Sequence, residues 1–373
     1  MVDAADYGFM AEALRLAERG LYTATPNPRV GCVIVKDGQI VGRGFHARAG
    51  GPHAEVVALQ EAGERARGAT AYVSLEPCSH HGRTPPCAEA LVAAGVGRVV
   101  AAMQDPNPLV AGRGLERLRQ GGIPVECGVL EAEAVALNIG FVSRMTRGRP
   151  WVRMKIAASL DGKTALLDGR SQWITSEAAR RDAHHWRARA CAILTGIGTV
   201  REDDPQLTVR HVATPRQPLR VVVDSRLETP VGARVLAGGP VLIACAREDR
   251  EAMDRLRAKG AEILVLPNAS GKVDLPGLFR ELGRRGVNEV LVEAGVKLNG
   301  SLLREALVDE LVVYLAPCLL GDAARGMAAL PPLRDLAARL RLRVRELRQV
   351  GEDLRLLAEV SQAAGVCPAW DSE

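Results

Sequence analysis

Aromatic side chains are scarce in this sequence: Phe, Tyr and Trp together make up 3% of 373 residues, four of each. A stacking platform for single-stranded nucleic acid needs more than that. No run approaches the roughly 20 consecutive apolar residues of a membrane span, and the opening MVDAADYGFMAEALRLAERG carries neither a basic leader nor a signal-like apolar stretch. The expected location is the cytoplasm. Cysteine is thinly spread as well: Cys32, Cys78, Cys87, Cys127, Cys191, Cys245, Cys318 and Cys367 are scattered along a long chain, which argues against a disulfide framework. Most are expected to be buried as small hydrophobes. The net charge of +5 is distributed over both halves without the concentrated basic footprint of nucleic-acid binding, although small acidic ligands such as phosphates remain compatible.

What is present is an ordinary globular composition, 47% apolar and 25% charged with 38 glycines. The length exceeds what one core usually serves, so two domains are expected. Asp6 to Arg19 reads as an amphipathic helix, with Met10, Ala11, Leu14 and Ala17 at helical spacing and Gly20 as a stop. A turn-rich loop, Thr23 to Arg29, leads to strands at Val30 to Lys36 and Gln39 to Phe45, joined by the hairpin signal Asp37-Gly38. A helix should begin near His53, followed by a strand at Thr70 to Leu75, a loop from Glu76 to Pro86, a helix at Ala88 to Ala94 and a strand at Arg98 to Met103. This is an α/β layer pattern. The polar segment Ser143 to Pro150 reads as a linker, and beyond it the pattern restarts. Strands are expected at Trp151 to Ala158, Ala192 to Leu194, Leu219 to Val223, Val241 to Cys245, Glu262 to Leu266, Glu289 to Val292 and Glu310 to Leu315. Helices near Ser176 to Ala190, Asp249 to Lys259, Leu275 to Arg284 and Leu302 to Leu307 alternate with them. The domains are therefore set at residues 1–147 and 150–361, with a tail at 362–373.

The strongest chemical signal is His53-Ala54-Glu55, followed after a strand by Pro77-Cys78 and, with eight residues between the two cysteines, Cys87. One imidazole and two thiolates hold zinc while leaving its fourth tetrahedral position open to water. Such an ion acidifies that water, and Glu55, two residues past the ligand His53, can carry protons to a ring nitrogen and a departing amine. Taken singly, these residues read as a surface histidine and two buried thiols. Taken together, the H-x-E, strand, P-C order is the zinc-deaminase signature, with a longer cysteine spacing that points to an inserted substrate loop.

The runs Thr25 to Gly31, Gly51 to Val56, Glu76 to Cys87 and Asp105-Pro106-Asn107-Pro108 closely resemble the bifunctional riboflavin-biosynthesis deaminase-reductase family. The resemblance extends over roughly residues 6–360. It implies a cytidine-deaminase-like α/β/α domain followed by a dihydrofolate-reductase-like α/β domain, and a phosphoribosylaminopyrimidinone substrate. It places zinc on His53, Cys78 and Cys87, makes Glu55 the proton shuttle, and suggests substrate contacts from Asn27, His46, His80, Arg83 and Asn107. Members often carry lysine where this chain has Arg83; either cation can meet a phosphate, in different geometry. Asn27 and Asn107 read equally well as turn residues beside prolines.

In the second domain, Gly196-Ile197-Gly198 opens like a dinucleotide fingerprint, but Arg201 stands where the third glycine would fall. The stretch Glu293 to Ser301, after a strand and leading into a helix, reads either as an anion-binding turn or as an ordinary connection. Met154 to Gly162, Ser171 to Thr175 and Asp203 to Thr208 resemble the reductase half of the same family. The implied cofactor is NADPH, with contacts at Ala157, Trp173, Thr199, Asp203, Ser225 and the 295–301 loop, namely Gly295, Val296, Lys297, Leu298, Asn299, Gly300 and Ser301. Substrate contacts fall at Ser171, Arg187, Leu207, Arg210 and Glu293, where Arg187 and Arg210 suit a phosphate. Lys155, Asp203 and Glu293 are the candidates to orient and protonate during reduction of the ribosyl group to ribityl. Ser225-Arg226, just past a strand, suits a 2′-phosphate.

The expected partner is thus a small molecule, with no nucleic acid and no membrane, and a homo-oligomer is compatible with the sequence. Two alternatives compete: a nucleic-acid or free-base deaminase, which the charge balance and sparse aromatics disfavour, and a second domain that binds nucleotide without catalysis.

Overall fold

Asp3 and Asp6 start the first helix by capping each other: the Asp3 carboxylate accepts the Asp6 N–H at 3.0 Å and the Asp6 carboxylate accepts the Asp3 N–H at 2.9 Å. The computed structural model describes residues 2–79 and 86–361, and the chain divides between Gly148 and Arg149 into two units. His80 and Arg83, and the 362–373 tail, lie outside the described residues. Among those described, no helix is long and apolar enough to cross a membrane.

In the first unit, α1 (Ala4–Glu18) precedes the hairpin of β1 (Gly31–Lys36) and β2 (Gln39–Phe45). Asp37 and Gly38 both take positive φ, 50° and 74°, as the tight turn requires. Then come α2 (Ala54–Ala62), β3 (Thr70–Val73), α3 (Cys87–Ala93), β4 (Arg98–Ala101), α4 (Arg113–Gln120), β5 (Val125–Cys127), α5 (Glu131–Leu137) and α6 (Ile139–Arg147). The sheet order is β2-β1-β3-β4-β5, with β1 antiparallel to both neighbours and β3 to β5 parallel. Alternation along β1 sets the layers: Cys32 and Ile34 pack with α2, α3 and α4, whereas Val33 and Val35 pack with α1 and α5. The result is α/β/α. Glycine decides how closely α2 can lie on β2, since a Cβ at Gly44 would sit 2.0 Å from the Ala54 carbonyl oxygen. That approach seats the N-terminus of α2, where His53 and Glu55 stand. The stretch Ser143 to Arg147, expected as linker, is instead the end of α6. Gly140, Phe141 and Ser143 are buried, and Gly148 terminates the helix at φ 67°.

The second unit runs β6 (Trp151–Ser159), β7 (Lys163–Ala165), α7 (Glu177–Arg189), β8 (Ala192–Gly196), α8 (Ile197–Asp203), β9 (Leu219–Val223), β10 (Val241–Cys245), α9 (Arg250–Arg257), β11 (Ala261–Val265), α10 (Leu275–Arg284), β12 (Glu289–Val292), α11 (Val296–Arg304), β13 (Glu310–Ala316), β14 (Arg325–Gly326), β15 (Leu342–Val350) and β16 (Asp353–Val360). Its main sheet has the order β11-β10-β9-β8-β12-β6-β13-β16-β15, parallel from β11 to β13 and closed by the antiparallel pairs β13–β16 and β16–β15. One face packs on α10 and α11, the other on α7, α8 and α9. Two features depart from expectation. The hairpin of β15 and β16 closes the sheet, and α11 begins at Val296 rather than near Leu302, so most of the 295–301 stretch is helix rather than loop. Strand order reverses between β8 and β12, and at such a switch point the carboxyl ends of parallel strands leave a crevice.

Candidate active sites

His53 is the N-cap of α2, Glu55 sits in its first turn, Cys78 lies on the loop after β3 and Cys87 opens α3. The His53 Nδ1 stands 3.2 Å from the Cys87 Sγ and 3.6 Å from the Cys78 Sγ, and the three donor atoms all fall within 4.8 Å of one another. Bonds of roughly 2.0–2.3 Å to a tetrahedral zinc place its donors about 3.5 Å apart, so this N/S/S set fits the ion without rearrangement. The Cys87 thiol and His53 hydrogen-bond to Cys78 and bring its thiol down to about 4, while the shared proton and burial push Cys87 well up. Glu55 is buried beside them, and desolvation raises its carboxyl to about 7.

A residue that carries no chemistry of its own holds this arrangement. The buried Glu76 carboxylate accepts the N–H groups of Asp105 (3.1 Å), Gly112 (2.9 Å), Gly114 (2.8 Å) and Leu115 (3.3 Å). It thereby ties the Pro77-Cys78 turn to the 105–115 segment. Gly114 approaches so closely that a Cβ there would lie 1.8 Å from the Pro77 carbonyl oxygen.

A cavity of about 270 Å³ opens over the constellation. His46 and Asn27 line it, joined by 3.0 Å between Asn27 Nδ2 and His46 Nε2, while His46 Nδ1 faces the Pro52 carbonyl at 3.0 Å. A carbonyl only accepts, so Nδ1 carries the proton and Nε2 accepts from Asn27. Asn107 lines the cavity too, and its Oδ1 accepts the Leu109 N–H at 3.1 Å, so it is a turn residue and a wall residue at once. The sequence reading missed Phe141, Arg144 and Met145, which α6 brings to the same cavity. They carry no motif, and they lie about 60 residues beyond the cysteines.

In the second unit, Lys155 on β6 lies close to Glu293, which follows β12. Burial pulls the Lys155 ammonium below its ordinary range, partly offset by Glu293. Burial also pushes Glu293 up, but the charge and hydrogen bonds of Arg187, with Lys155 beside it, outweigh this and hold the carboxyl at about 2. Arg187 donates from Nε and Nη2 to the two Glu293 oxygens at 2.6 and 2.8 Å, and from Nη1 to the Thr208 carbonyl at 3.1 Å. The Arg187 fork, expected to meet a phosphate, is paired here with Glu293, which was expected to contact the same substrate. Side chains from elsewhere brace the segment bearing Arg210. Gln217 exchanges two hydrogen bonds with the Val209 backbone (2.8 and 3.1 Å), and His184 Nδ1 accepts the Arg210 N–H at 3.1 Å. Leu207 has φ 52° and its side chain is in the core, so what it offers a ligand is backbone.

The residues suggested for nucleotide binding gather at strand carboxyl ends. Thr199 and Asp203 lie on α8 after β8, Ser225 follows β9, and Gly295 caps α11 after β12. Ala157 sits on β6, paired with Tyr314. Val296, Lys297, Leu298 and Ser301 occupy the first two turns of α11, where Ser301 Oγ bonds the Lys297 carbonyl at 3.2 Å. Asn299 and Gly300 face away from solvent: Asn299 donates to the Met327 carbonyl at 2.9 Å, and a Cβ at Gly300 would lie 2.1 Å from the Ala329 oxygen. Ser171 Oγ donates to Asp203 at 3.3 Å, and burial raises the Asp203 carboxyl. Trp173 is 69% exposed, with the Arg180 guanidinium 4.4 Å above its ring. Near Ser225, Arg226 is joined by Arg247, which donates to its carbonyl at 3.2 Å. A separate, open depression of about 450 Å³ beside α7, lined by Arg181, Asp182, His185 and His211 among others, holds none of the expected residues.

Hydrolytic removal of an amine in one unit and nucleotide-dependent reduction in the other is the class these sites define: a bifunctional deaminase and reductase. The sequence matches the cytidine and deoxycytidylate deaminase zinc-binding region over residues 4–103 and the RibD C-terminal domain over residues 150–356. The riboflavin biosynthesis protein RibD of Escherichia coli is 53% identical over 365 residues, covering 94% of this chain and 98% of the relative. The RibD structure from Acinetobacter baumannii (form 1) superposes with a TM-score of 0.90 at 46% identity, covering 96% of this chain and 99% of that one. A diaminohydroxyphosphoribosylaminopyrimidine deaminase/5-amino-6-(5-phosphoribosylamino)uracil reductase from Thermotoga maritima does so at 0.85 and 34% identity, with the same coverages. The chain belongs to the RibD family of riboflavin biosynthesis proteins, and it is a two-activity enzyme that uses zinc for deamination and NADPH for reduction.

Proposed function

We propose that residues 1–147 deaminate 2,5-diamino-6-(5-phosphoribosylamino)pyrimidin-4-one and that residues 150–361 reduce the ribosyl group of the product to ribityl. The observation that carries this reading is the convergence of His53, Cys78 and Cys87 beside a buried Glu55, at the base of a cavity walled by Asn27, His46 and Asn107. When bound on those three ligands, zinc supplies a Lewis acid that makes a water molecule nucleophilic near neutral pH. Glu55, whose carboxyl exchanges protons in the same range, carries two protons in turn at its carboxylate oxygen: one from the attacking water to the ring nitrogen, and a second, from the hydroxyl then on the ring carbon, to the departing amine as the carbonyl forms. Burial favours the neutral form of His46, its Nδ1–H bond to the Pro52 carbonyl sets the tautomer, and its Nε2 fixes Asn27, which is then oriented toward the ring's polar edge. The remaining proposed contacts, His80 and Arg83, fall between Cys78 and Cys87 in the sequence.

In the second half, NADPH when bound supplies the hydride. The pair Arg187–Glu293 keeps Glu293 ionised, so Glu293 orients the opened sugar and does not serve as the acid. Lys155, whose ammonium gives up its proton more readily than an exposed lysine, is the donor, and Asp203 holds a nearby polar group through Ser171. Arg210 meets the substrate phosphate, while Ser225, Arg226 and Arg247 meet the nucleotide's 2′-phosphate and favour NADPH over NADH. A small-molecule substrate, the modest net charge and the few aromatic residues favour a cytoplasmic enzyme that does not act on nucleic acid.

The test is incubation of the full chain with the diaminopyrimidinone phosphate while ammonia and NADPH are followed together. One ammonia released and one NADPH oxidised per substrate is the expected result. Ammonia release without NADPH oxidation would leave the second half a binding module.

A further inference from the structure

Two segments far apart in the sequence meet in the wall of the deaminase cavity: Asn27, Pro28 and Val30 come from the stretch before β1, and Phe141 and Met145 from α6. Arg29, set within the first segment, is buried and lies ahead of the paired part of β1, whose ladders begin at Gly31 and Cys32. Its backbone N–H and carbonyl therefore need partners from outside the sheet. Asn138, buried at the junction of α5 and α6, supplies both. Its Oδ1 accepts the Arg29 N–H at 2.8 Å, and its Nδ2 donates to the Arg29 carbonyl at 2.9 Å, across 109 residues of sequence. An amide side chain presents the donor and acceptor of a peptide group in one plane, and turning it over would set donor against donor and acceptor against acceptor. The Arg29 guanidinium adds a donation to the Leu137 carbonyl at 2.7 Å.

This clamp reaches the groups that face a ligand. The carbonyl of Val30, the residue after Arg29, accepts the His46 N–H at 2.9 Å, and His46 Nε2 in turn accepts from Asn27 Nδ2 at 3.0 Å. The backbone carbonyl of Asn138 accepts the Val142 N–H at 2.9 Å and closes the first turn of α6. One residue thus starts the helix that brings Phe141 and Met145 to the cavity and holds the strand entry that brings Asn27. We propose that Asn138 is a positioning residue of the deaminase, which sets Asn27 and His46 against the substrate ring by holding the Arg29 backbone to the head of α6. The inference rests on the reading of the first unit as a phosphoribosylaminopyrimidinone deaminase with Asn27 at the ring's polar edge. Asn138 is not among the described residues that line the cavity, so its effect passes through Arg29.

The experiment follows ammonia release from the diaminopyrimidinone phosphate by the full zinc-loaded chain, with rates expressed per bound zinc. It compares the unaltered chain with Asn138→Leu, which keeps the size and loses both hydrogen bonds, with Asn27→Ala, and with the two combined. In Asn138→Leu, KM is expected to rise roughly tenfold, as the loss of aligned neutral hydrogen bonds predicts, with kcat little changed. Zinc content, and NADPH oxidation with deaminated substrate, should match the unaltered chain. Because both changes act on the same contact, the combined variant should raise KM by much less than the product of the two single increases. Asn138→Asp keeps the acceptor for the Arg29 N–H and sets an oxygen against its carbonyl; it should also raise KM, and it takes the place of Asn138→Leu should that variant lose zinc. A lowered Tm with unchanged KM overturns the proposal, because it would make the clamp a matter of stability alone. So does a combined effect equal to the product, or loss of zinc from both Asn138 variants. Failure of the unaltered chain to release ammonia from this compound overturns the deaminase reading and the inference with it.

Discussion

Glu55 and Cys78 sit within one cluster yet should fail differently when altered, because one carries protons and the other carries metal. Glu55→Gln is expected to retain zinc by elemental analysis while ammonia release drops roughly 10²–10⁴-fold, the usual worth of a positioned acid–base group. Loss of zinc from that variant would make Glu55 a ligand instead. Glu293 provides a test through pH. Its carboxyl lies at about 2 against an ordinary 4.5, so its pairing with Arg187 stabilises the fold fully above about 4.5 and is lost as pH falls through about 2. The contribution is on the order of 3 kcal/mol. Thermal melts between pH 5 and 2 should therefore show a shallower acid slope for Glu293→Gln than for the unaltered chain; equal slopes would remove this pair from the acid response.

Elements place these residues, and their placement depends on backbone contacts that leave no room for a methyl group. Gly114→Ala is expected to cost a few kcal/mol and to leave the protein short of zinc, because the new Cβ would displace the Pro77 carbonyl and with it Cys78. Differential scanning calorimetry and metal content check it, and full zinc occupancy at unchanged Tm would show that the turn yields easily. Local signals made some elements legible in the sequence. Asp37-Gly38 announces its turn because few other pairs accept two positive φ angles, and β6, β8 to β10 and β12 announce themselves as apolar runs of strand length. Where the deciding contacts are distant, the sequence misleads. Gly295 and Gly300 look like a flexible loop, but Gly300 is there to let α11 pack against the 327–329 segment. In β15, Arg343, Arg345, Glu346 and Arg348 mask a strand that gains its order from pairing with β16. The metal ligands could be found because their chemistry demands fixed residue types. Phe141, Arg144 and Met145 could not, since any helix passing the cavity would supply wall residues without a motif.

At the scale of the whole molecule, each chemistry is confined to its own unit: the zinc ligands all precede Gly148, and the Lys155, Arg187 and Glu293 cluster follows it. Cys78→Ser in the intact chain is expected to abolish ammonia release and zinc retention while leaving NADPH oxidation intact when deaminated substrate is supplied. Loss of both activities would mean that the halves are energetically coupled. The Glu76 anchor imposes an order on how the enzyme comes into being. Its carboxylate is satisfied by amides 29 to 39 residues further along the chain, so Cys78 cannot be fixed when it leaves the ribosome. At roughly 5–20 residues per second, that delay lasts a few seconds, during which the ligands are present but unset. A nascent chain halted with Gln104 as its last emerged residue should hold no zinc, whereas one exposing the entire first unit should, so metal loading is timed by the arrival of a segment that never touches the metal.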